Sequence, residues 1–145
     1  MKGQLHIVRL LLDAGANVNI QGGYYGTPLQ AAAYQGHKEV VSLLVGAAAD
    51  PQQSGFSKDA IHAAAEGGRH HIIELLLALD YVPYTVDLFV EACVGGHEAI
   101  VKAGVKQRIP PSVVDSKGRP ALHFAAIHGS AAVVELLLRS GADPN

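Results

Sequence analysis

One segment of this chain occurs five times, and this recurrence limits the fold more than any other feature. Each copy begins with a glycine and, with one exception, has apolar residues at its fifth, sixth and eighth to tenth places. Apolar residues at this spacing lie on one side of an α-helix. Each copy therefore predicts one amphipathic helix. The copies begin at Gly3, Gly36, Gly68, Gly96 and Gly129.

A second run precedes four of these copies and predicts another helix. The runs read TPLQAAAYQ, DAIHAAAEG, DLFVEACVG and PALHFAAIH. Thr27 followed by Pro28 is typical of a helix start, because a threonine hydroxyl caps a free backbone N–H and proline is tolerated at the first helical position. We expect Asp59 and Asp87 to cap in the same way, whereas Pro120 offers no side-chain cap. Neither helix can bury its apolar side alone, so stacked copies must form the core.

These segments resemble the ankyrin repeat. The resemblance is carried by GTPLQAAAYQGHKEVVSLLV, RPALHFAAIHGSAAVVELLLRSGADPN and LLDAGANVN, and it extends over the whole chain. It implies an all-α solenoid of stacked helix–turn–helix units with hairpin loops. The stretch NIQGGYYGTPLQAAAYQGH is also similar to the ankyrin arrays of large fungal multidomain proteins.

We expect a single ankyrin-repeat domain over residues 1–145. Both ends of the chain are formed by a second helix, which suggests a piece of a longer array because solenoid ends normally carry polar caps. The third repeat is too short for the hairpin of the family, so we expect a notch there, whereas VDSKGR at residues 114–119 predicts a well-formed hairpin. The repeats are expected at residues 1–19 (partial) and at about 20–52, 53–84, 85–112 and 113–145.

Charge and cysteine content argue against several classes of partner. The formal net charge of −2 disfavours nonspecific binding to nucleic acid or to an anionic membrane. No apolar run is long enough to cross a bilayer. The single cysteine, Cys93, excludes an intramolecular disulfide and fits a reducing compartment. We therefore expect an intracellular protein, cytoplasmic or nuclear, with no nucleic-acid and no membrane partner.

The sequence shows no pattern typical of a catalytic, metal or cofactor site. His70 and His71 are adjacent and point about 100° apart on a helix, so they cannot readily hold one ion. No H-E-x-x-H pattern, Cys/His cluster, dinucleotide fingerprint or P-loop is present. Cys93 stands where other repeats have alanine, and nearby Glu91 disfavours a thiolate. We expect no enzyme activity, no metal and no cofactor.

The resemblance implies that a protein partner binds the concave side, at the hairpin tips and the outer face of each first helix. Aromatic residues on that side favour a binding hot spot, because tyrosine buries much area with few rotatable bonds. The alternative is that Tyr25 and Phe56 only pack the loops. Carried over position by position, the partner-binding residues are Tyr24, Tyr34, Gln35, Phe56, Lys58, Glu66, Lys117, Arg119, Ile127 and His128.

Basic residues near the fourth repeat suggest a second interaction. Such a group would dock an acidic segment, although cations near a helix C-terminus also stabilise the helix. The group consists of Lys106, Arg108, Lys117 and Arg119.

The sequence thus predicts a non-catalytic protein–protein interaction scaffold whose parent chain carries further repeats or other domains. Two alternatives stay open. A small-molecule-binding or enzymatic ankyrin domain would use a pocket at the irregular third repeat, where Ala103 and Gly104 replace a pair of leucines. A structural spacer would bind nothing. The pocket would be lined by Tyr81, Tyr84, Phe89 and Cys93.

Overall fold

The regular structure of the chain is helical. The computed structural model describes residues 2–55, 59–79, 85–115 and 117–144, with side chains from Gln4 onward, and no strand forms within those ranges. The predicted all-α class is confirmed. The helices are α1 (Lys2–Asp13), α2 (Pro28–Gln35), α3 (Lys38–Gly46), α4 (Ala60–Glu66), α5 (His70–Ala78), α6 (Val86–Gly95), α7 (Glu98–Lys106), α8 (Ala121–Ile127) and α9 (Ala131–Arg139).

The helices α2, α4, α6 and α8, called first helices below, begin largely as the sequence predicts. Thr27 Oγ1 accepts a hydrogen bond from the Gln30 backbone N at 3.2 Å, and Gln30 Oε1 accepts one from the Thr27 N at 2.9 Å. This reciprocal pair satisfies two backbone donors that a helix start would otherwise leave open. Asp59 caps α4 by accepting from the His62 N at 2.9 Å. Pro120 precedes α8 without a side-chain cap, also as predicted.

The predicted cap at Asp87 is wrong. Helix α6 begins at Val86, and Thr85 is its N-cap residue, with Oγ1 accepting from the Leu88 N at 3.2 Å. Thr85 therefore holds before α6 the N-cap position that Asp59 holds before α4. Asp87 lies inside the first helical turn, where a carboxylate interacts favourably with the helix dipole instead of capping it.

The remaining helices are called second helices, and four of them, α1, α3, α7 and α9, end in one shared backbone pattern. The residue two positions beyond the helix has a positive φ, and the residue after it donates to a carbonyl five positions back. Gly15 and Gly141 suit this left-handed conformation because they lack a Cβ atom. Ala48 (φ 62°) and Arg108 (φ 64°) adopt it in spite of their side chains.

The chain divides into two compact units, an N-terminal unit (Met1–Val82) and a C-terminal unit (Pro83–Asn145). In the N-terminal unit α2 packs on α4, while α3 packs on α1 and α5. In the C-terminal unit α6 packs on α8 and α7 packs on α9. First helices therefore stack on first helices, and second on second, within each unit. The division into one partial and four full repeats stays a prediction.

Small and branched side chains fill the interior of each unit. Ala33 and Ala64 are fully buried where α2 and α4 approach, and Ile72 and Ile100 are fully buried on the second helices. Burial of one large aliphatic side chain contributes about 1.5–3 kcal/mol. Phe89 is also fully buried in α6, at a position where the other first helices carry leucine or isoleucine.

The predicted hairpin of the fourth repeat is present. Val114 and Pro120 form an antiparallel bridge, and the Asp115 N donates to the Arg119 O at 3.0 Å. The expected notch in the third repeat involves residues 80–84, which lie outside the described part of the chain.

Candidate functional site

Three tyrosines of the N-terminal unit form a contiguous tyrosine cluster: Tyr24, Tyr25 and Tyr34. The Tyr24 and Tyr25 rings meet edge to face, with centroids 5.1 Å apart and planes at 88°. The Tyr25 and Tyr34 centroids are also 5.1 Å apart. Such edge-to-face and tilted pairs are favourable arrangements for aromatic rings. Tyr24 is 69% exposed, whereas Tyr25 and Tyr34 are half-buried.

Local backbone chemistry explains how the first two tyrosines are presented. They lie in a turn closed by the Gly22 N, which donates to the Gly26 O at 2.9 Å. Gly23 and Gly26 have φ values of 67° and 83°, which only glycine adopts without strain. The chain therefore reverses on both sides of the tyrosine pair. Gln35 at the end of α2 donates from Nε2 to the Tyr25 Oη at 3.1 Å and so connects the turn to the helix.

The third tyrosine is held by the next repeat. The Arg69 Nε donates to the Tyr34 backbone O at 3.1 Å. Gly67, just after α4, lies so close to this backbone that a Cβ atom built on it would overlap the Tyr34 carbonyl. The close approach of α2 and α4 thus depends on a glycine and fixes the position of Tyr34.

One buried and one exposed amide side chain connect the turn to the following loop. The Gln30 side chain, 1% exposed, donates from Nε2 to the Gln53 O at 3.1 Å. The Gln21 Nε2 donates to the Ser54 O at 2.8 Å. These bonds hold the turn of the tyrosine cluster against residues 53–54, so the surface is largely preformed.

An open groove borders the cluster. Its volume is about 360 Å³, and it is lined by residues 20–28 and Ala31. No charged side chain occurs in this lining, and Ile20 in it is 58% exposed. The tyrosine cluster and the groove together give the N-terminal unit an uncharged, partly apolar surface. Surfaces of this kind are typical of the centre of protein–protein interfaces.

The other predicted residues of the N-terminal unit are only partly described. Gln35 and Glu66 are exposed at the last positions of α2 and α4. Gln35 contacts the tyrosine cluster directly. Phe56 and Lys58 lie outside the described residues, so the partner-binding role assigned to them stays a prediction.

In the C-terminal unit, Arg119 is engaged within its own hairpin. Its guanidinium pairs with the Asp115 carboxylate at 2.8 Å and lies 4.6 Å from the centroid of the Phe124 ring. Asp115 also accepts hydrogen bonds from the backbone N of Arg119 (2.8 Å) and of Lys117 (2.9 Å). These bonds lower the pKa of Asp115 and favour its charged form. Arg119 therefore stabilises the hairpin, while Lys117 projects into solvent.

Two further predicted residues, Ile127 and His128, lie at the end of α8. Ile127 is 65% exposed, which is high for a large aliphatic side chain, and His128 is also exposed. Their position agrees with an outer surface rather than the core. Their proposed contact with a partner stays a prediction.

The cysteine and histidine residues considered for catalysis or metal binding lie in the core or at a helix start. Cys93 is fully buried, and burial raises the pKa of its thiol from 9.0 to about 12, so the thiol is protonated at neutral pH. The His62 Nδ1 lies 2.7 Å from Asp59 Oδ1, at the start of α4. Across the ranges that the structure describes, no three His, Cys, Asp or Glu side chains are grouped closely enough to hold a metal ion.

The alternative pocket at the third repeat is not tested by the structure. Tyr81 and Tyr84 lie outside the described residues, and Phe89 and Cys93 are fully buried. None of the described helices is long and apolar enough to cross a membrane.

Tyr25 belongs to the tyrosine cluster, but it was not among the partner-binding residues predicted from the sequence. The sequence offered loop packing as its alternative role, and the structure places its ring between those of Tyr24 and Tyr34. A pair of adjacent tyrosines flanked by glycines was the available signal. In a glycine-bounded turn, adjacent side chains can lie together instead of on opposite sides.

Stacked pairs of short antiparallel helices with glycine turns define a helical repeat protein. A family model described as ankyrin repeats (3 copies) matches residues 1–87 and again residues 50–145. The chain belongs to the ankyrin repeat family. Ankyrin repeats generally mediate protein–protein interactions and are typically non-enzymatic modules.

Several curated proteins are similar over most of the chain. The probable E3 ubiquitin-protein ligase XBOS33 of Oryza sativa subsp. japonica is 31% identical over 98% of this chain and 30% of that protein. The NF-kappa-B inhibitor alpha of Homo sapiens is 29% identical over 97% of this chain and 38% of that protein. The chain thus spans about a third of the length of these relatives. Ankyrin repeat and SOCS box protein 5 of Bos taurus is 52% identical over 34% of this chain and 15% of that protein.

Proposed function

We propose that this chain is a protein-binding scaffold whose principal contact is the tyrosine cluster of the N-terminal unit. The observation that carries the proposal is the contiguity of Tyr24, Tyr25 and Tyr34, with ring centroids 5.1 Å apart and the outermost ring 69% exposed. An exposed aromatic cluster on a fixed backbone contributes binding area at little cost in conformational entropy.

The preformed backbone supports this proposal. The turn, the end of α2 and the loop at residues 53–54 are connected by side-chain hydrogen bonds of 2.8–3.1 Å. A partner would therefore dock on the hairpin tip and the outer face of α2 with little rearrangement. That is the side on which the family usually binds partners. Gln35 and Glu66 form its polar border.

The test uses a partner captured from the source cells by affinity pull-down and identified by mass spectrometry. Tyr24→Ala and Tyr34→Ala should each weaken binding by about 1–3 kcal/mol, as truncation of a hot-spot aromatic does. Isothermal titration calorimetry on the purified pair measures the loss. Tyr24→Ala should leave the melting temperature nearly unchanged because its ring is mostly exposed.

Matched controls lie on the solvent face of second helices. Lys38→Ala and Glu74→Ala change exposed residues of α3 and α5 and should leave the affinity unchanged. Full affinity in both tyrosine variants, together with a loss in either control, would place the binding site on the second helices and reject the proposal.

We also propose that the protein acts inside the cell, in the cytoplasm or nucleus, and within a longer chain. Its one cysteine is buried and protonated, which requires no oxidising environment. The relatives place a region like this one inside proteins about three times as long. Immunoblotting of fractionated source cells checks both points, since it reports the compartment and the mass of the parent chain.

A further inference from the structure

Basic residues mark one edge of the C-terminal unit. Helix α7 ends at Lys106 and helix α9 ends at Arg139, and both side chains are exposed. Because α7 and α9 stack on each other as equivalent second helices, their last residues lie at the same edge of the unit. Arg108 follows two residues beyond α7 and is exposed as well. We call Lys106, Arg108 and Arg139 the basic edge.

The acids nearby compensate this charge only in part. Arg139 pairs with Glu135 at 3.2 Å, but both side chains are mostly exposed, so the pair contributes little. Glu98 pairs with Lys102 at 3.2 Å, one turn further from the edge than Lys106. Asp143 is exposed in the loop after α9. Among the described residues, neither Lys106 nor Arg108 forms an ion pair.

Arg108 stands at a position where the backbone favours glycine. Its φ is 64°, and the equivalent residues Gly15 and Gly141 have φ values of 82° and 96°. A non-glycine residue in this conformation is strained by roughly 1–2 kcal/mol. No hydrogen bond or ion pair of the Arg108 side chain within the described residues offsets that strain. Ala48 shares this conformation with a φ of 62°, so the strain follows from the helix end, and Arg108 differs in carrying an exposed charge that no described residue pairs.

We propose that the basic edge docks a short acidic segment of a partner protein. Complementary charge favours and orients such an encounter. A long polyanion fits less well, because Glu135 lies about one helical turn behind Arg139 and Glu98 about two turns behind Lys106, and both would repel its continuation. The net charge of −2 disfavours nucleic acid more than a short acidic segment, because repulsion grows with the number of charges that the ligand carries. The segment should therefore present its carboxylates over a few residues only.

Fluorescence anisotropy at low ionic strength tests this assignment. The probe is a labelled peptide of six glutamates between glycine–serine flanks, and the matched probe carries six glutamines instead. The combined variant Lys106→Gln, Arg108→Gly, Arg139→Gln should raise the Kd of the glutamate peptide about tenfold. A control variant, Arg9→Gln with Lys38→Gln, removes two exposed charges elsewhere and should change the Kd less than about twofold, whereas its match at the basic edge, Lys106→Gln with Arg108→Gly, should raise the Kd several-fold.

Several results would overturn the proposal. They are equal loss of binding in the two matched double variants, equal binding of the two peptides, no binding of the glutamate peptide by the unmodified protein, and tighter binding of a single-stranded oligonucleotide of equal charge. Circular dichroism checks that each variant is folded. Should the combined variant unfold, Lys106→Gln alone should still raise the Kd about two- to threefold, and an unchanged Kd would count against the basic edge.

Discussion

The two units of this protein share a frame but differ at equivalent surface positions. Second helices end at Asp13, Gly46 and Ala78 in the N-terminal unit and at Lys106 and Arg139 in the C-terminal unit. The tyrosine cluster belongs to the N-terminal unit, whereas the hairpin of the C-terminal unit carries the ion pair between Asp115 and Arg119. Buried apolar residues and turn conformations are thus kept, while exposed positions vary. An exposed substitution typically changes stability by less than about 0.5 kcal/mol, so these positions are open to a binding function.

The largest expected effect distinguishes two glycines at the same repeat position. Gly67→Ala should lower the free energy of unfolding by about 2–4 kcal/mol, because the new Cβ atom would overlap the backbone of Tyr34. Gly95→Ala in the C-terminal unit should cost far less, since the atoms nearest to the new Cβ belong to the His97 side chain and not to backbone. Urea unfolding of both variants measures the difference. Similar losses in both would contradict the idea that only the N-terminal unit depends on this close contact.

A second expected effect concerns Cys93, which stands where the N-terminal unit has Ala33 and Ala65. The unfolded thiol titrates near 9.0, whereas the buried thiol keeps its proton up to about 12. Below pH 9 the thiol is protonated in both the folded and the unfolded state, so the stability of the fold does not depend on its titration. Between pH 9 and about pH 12 only the unfolded thiol loses its proton, and the free energy of unfolding falls by about 1.4 kcal/mol per pH unit. Urea unfolding at pH 8 and pH 10.5 measures it, with Cys93→Ala as the reference. Equal pH dependence in both proteins would show that the thiol is not buried in this way.

A smaller effect should be the same in both units. Ala48→Gly and Arg108→Gly relieve a positive φ and should each raise the free energy of unfolding by about 0.5–1 kcal/mol, net of the greater flexibility of glycine in the unfolded chain. Gly141→Ala should lower it by a similar amount. Ala47→Gly, one residue before the strained position, is the control and should not stabilise. A gain in only one unit would mean that the helix ends are not equivalent.

Most of the helices could be predicted from the sequence because the same apolar pattern occurs five times, so each helix is supported by its equivalents in the other repeats. The caps at Thr27 and Asp59 followed from side-chain chemistry next to the helix start. The cap at Thr85 was not predicted because α6 starts two residues before the position that the alignment of repeats gives, and the third repeat is irregular in length. Local rules are therefore strongest where the repeat length is regular.

Surface chemistry was harder to predict, for a physical reason. Sequence shows where charges occur but not how they pair, so Arg119 was predicted to contact a partner although its guanidinium pairs with Asp115. Arg139 was not grouped with Lys106 because the two are distant in the sequence, and only the stacking of α7 on α9 brings their helix ends to one edge. The position of the Tyr25 ring depends on the turn between Gly22 and Gly26. Each of these features requires tertiary packing.

The most direct test of the account is amide hydrogen exchange of the protein with and without its captured partner, read by mass spectrometry. If the tyrosine cluster is the principal contact, binding should slow exchange at residues 20–26 and in the second half of α2. Amides in the centres of α3 and α5, the helices that carry the control residues Lys38 and Glu74, should exchange at unchanged rates. Protection concentrated on α3 and α5, with none at residues 20–35, would contradict the central claim that the first-helix side of the N-terminal unit binds the partner.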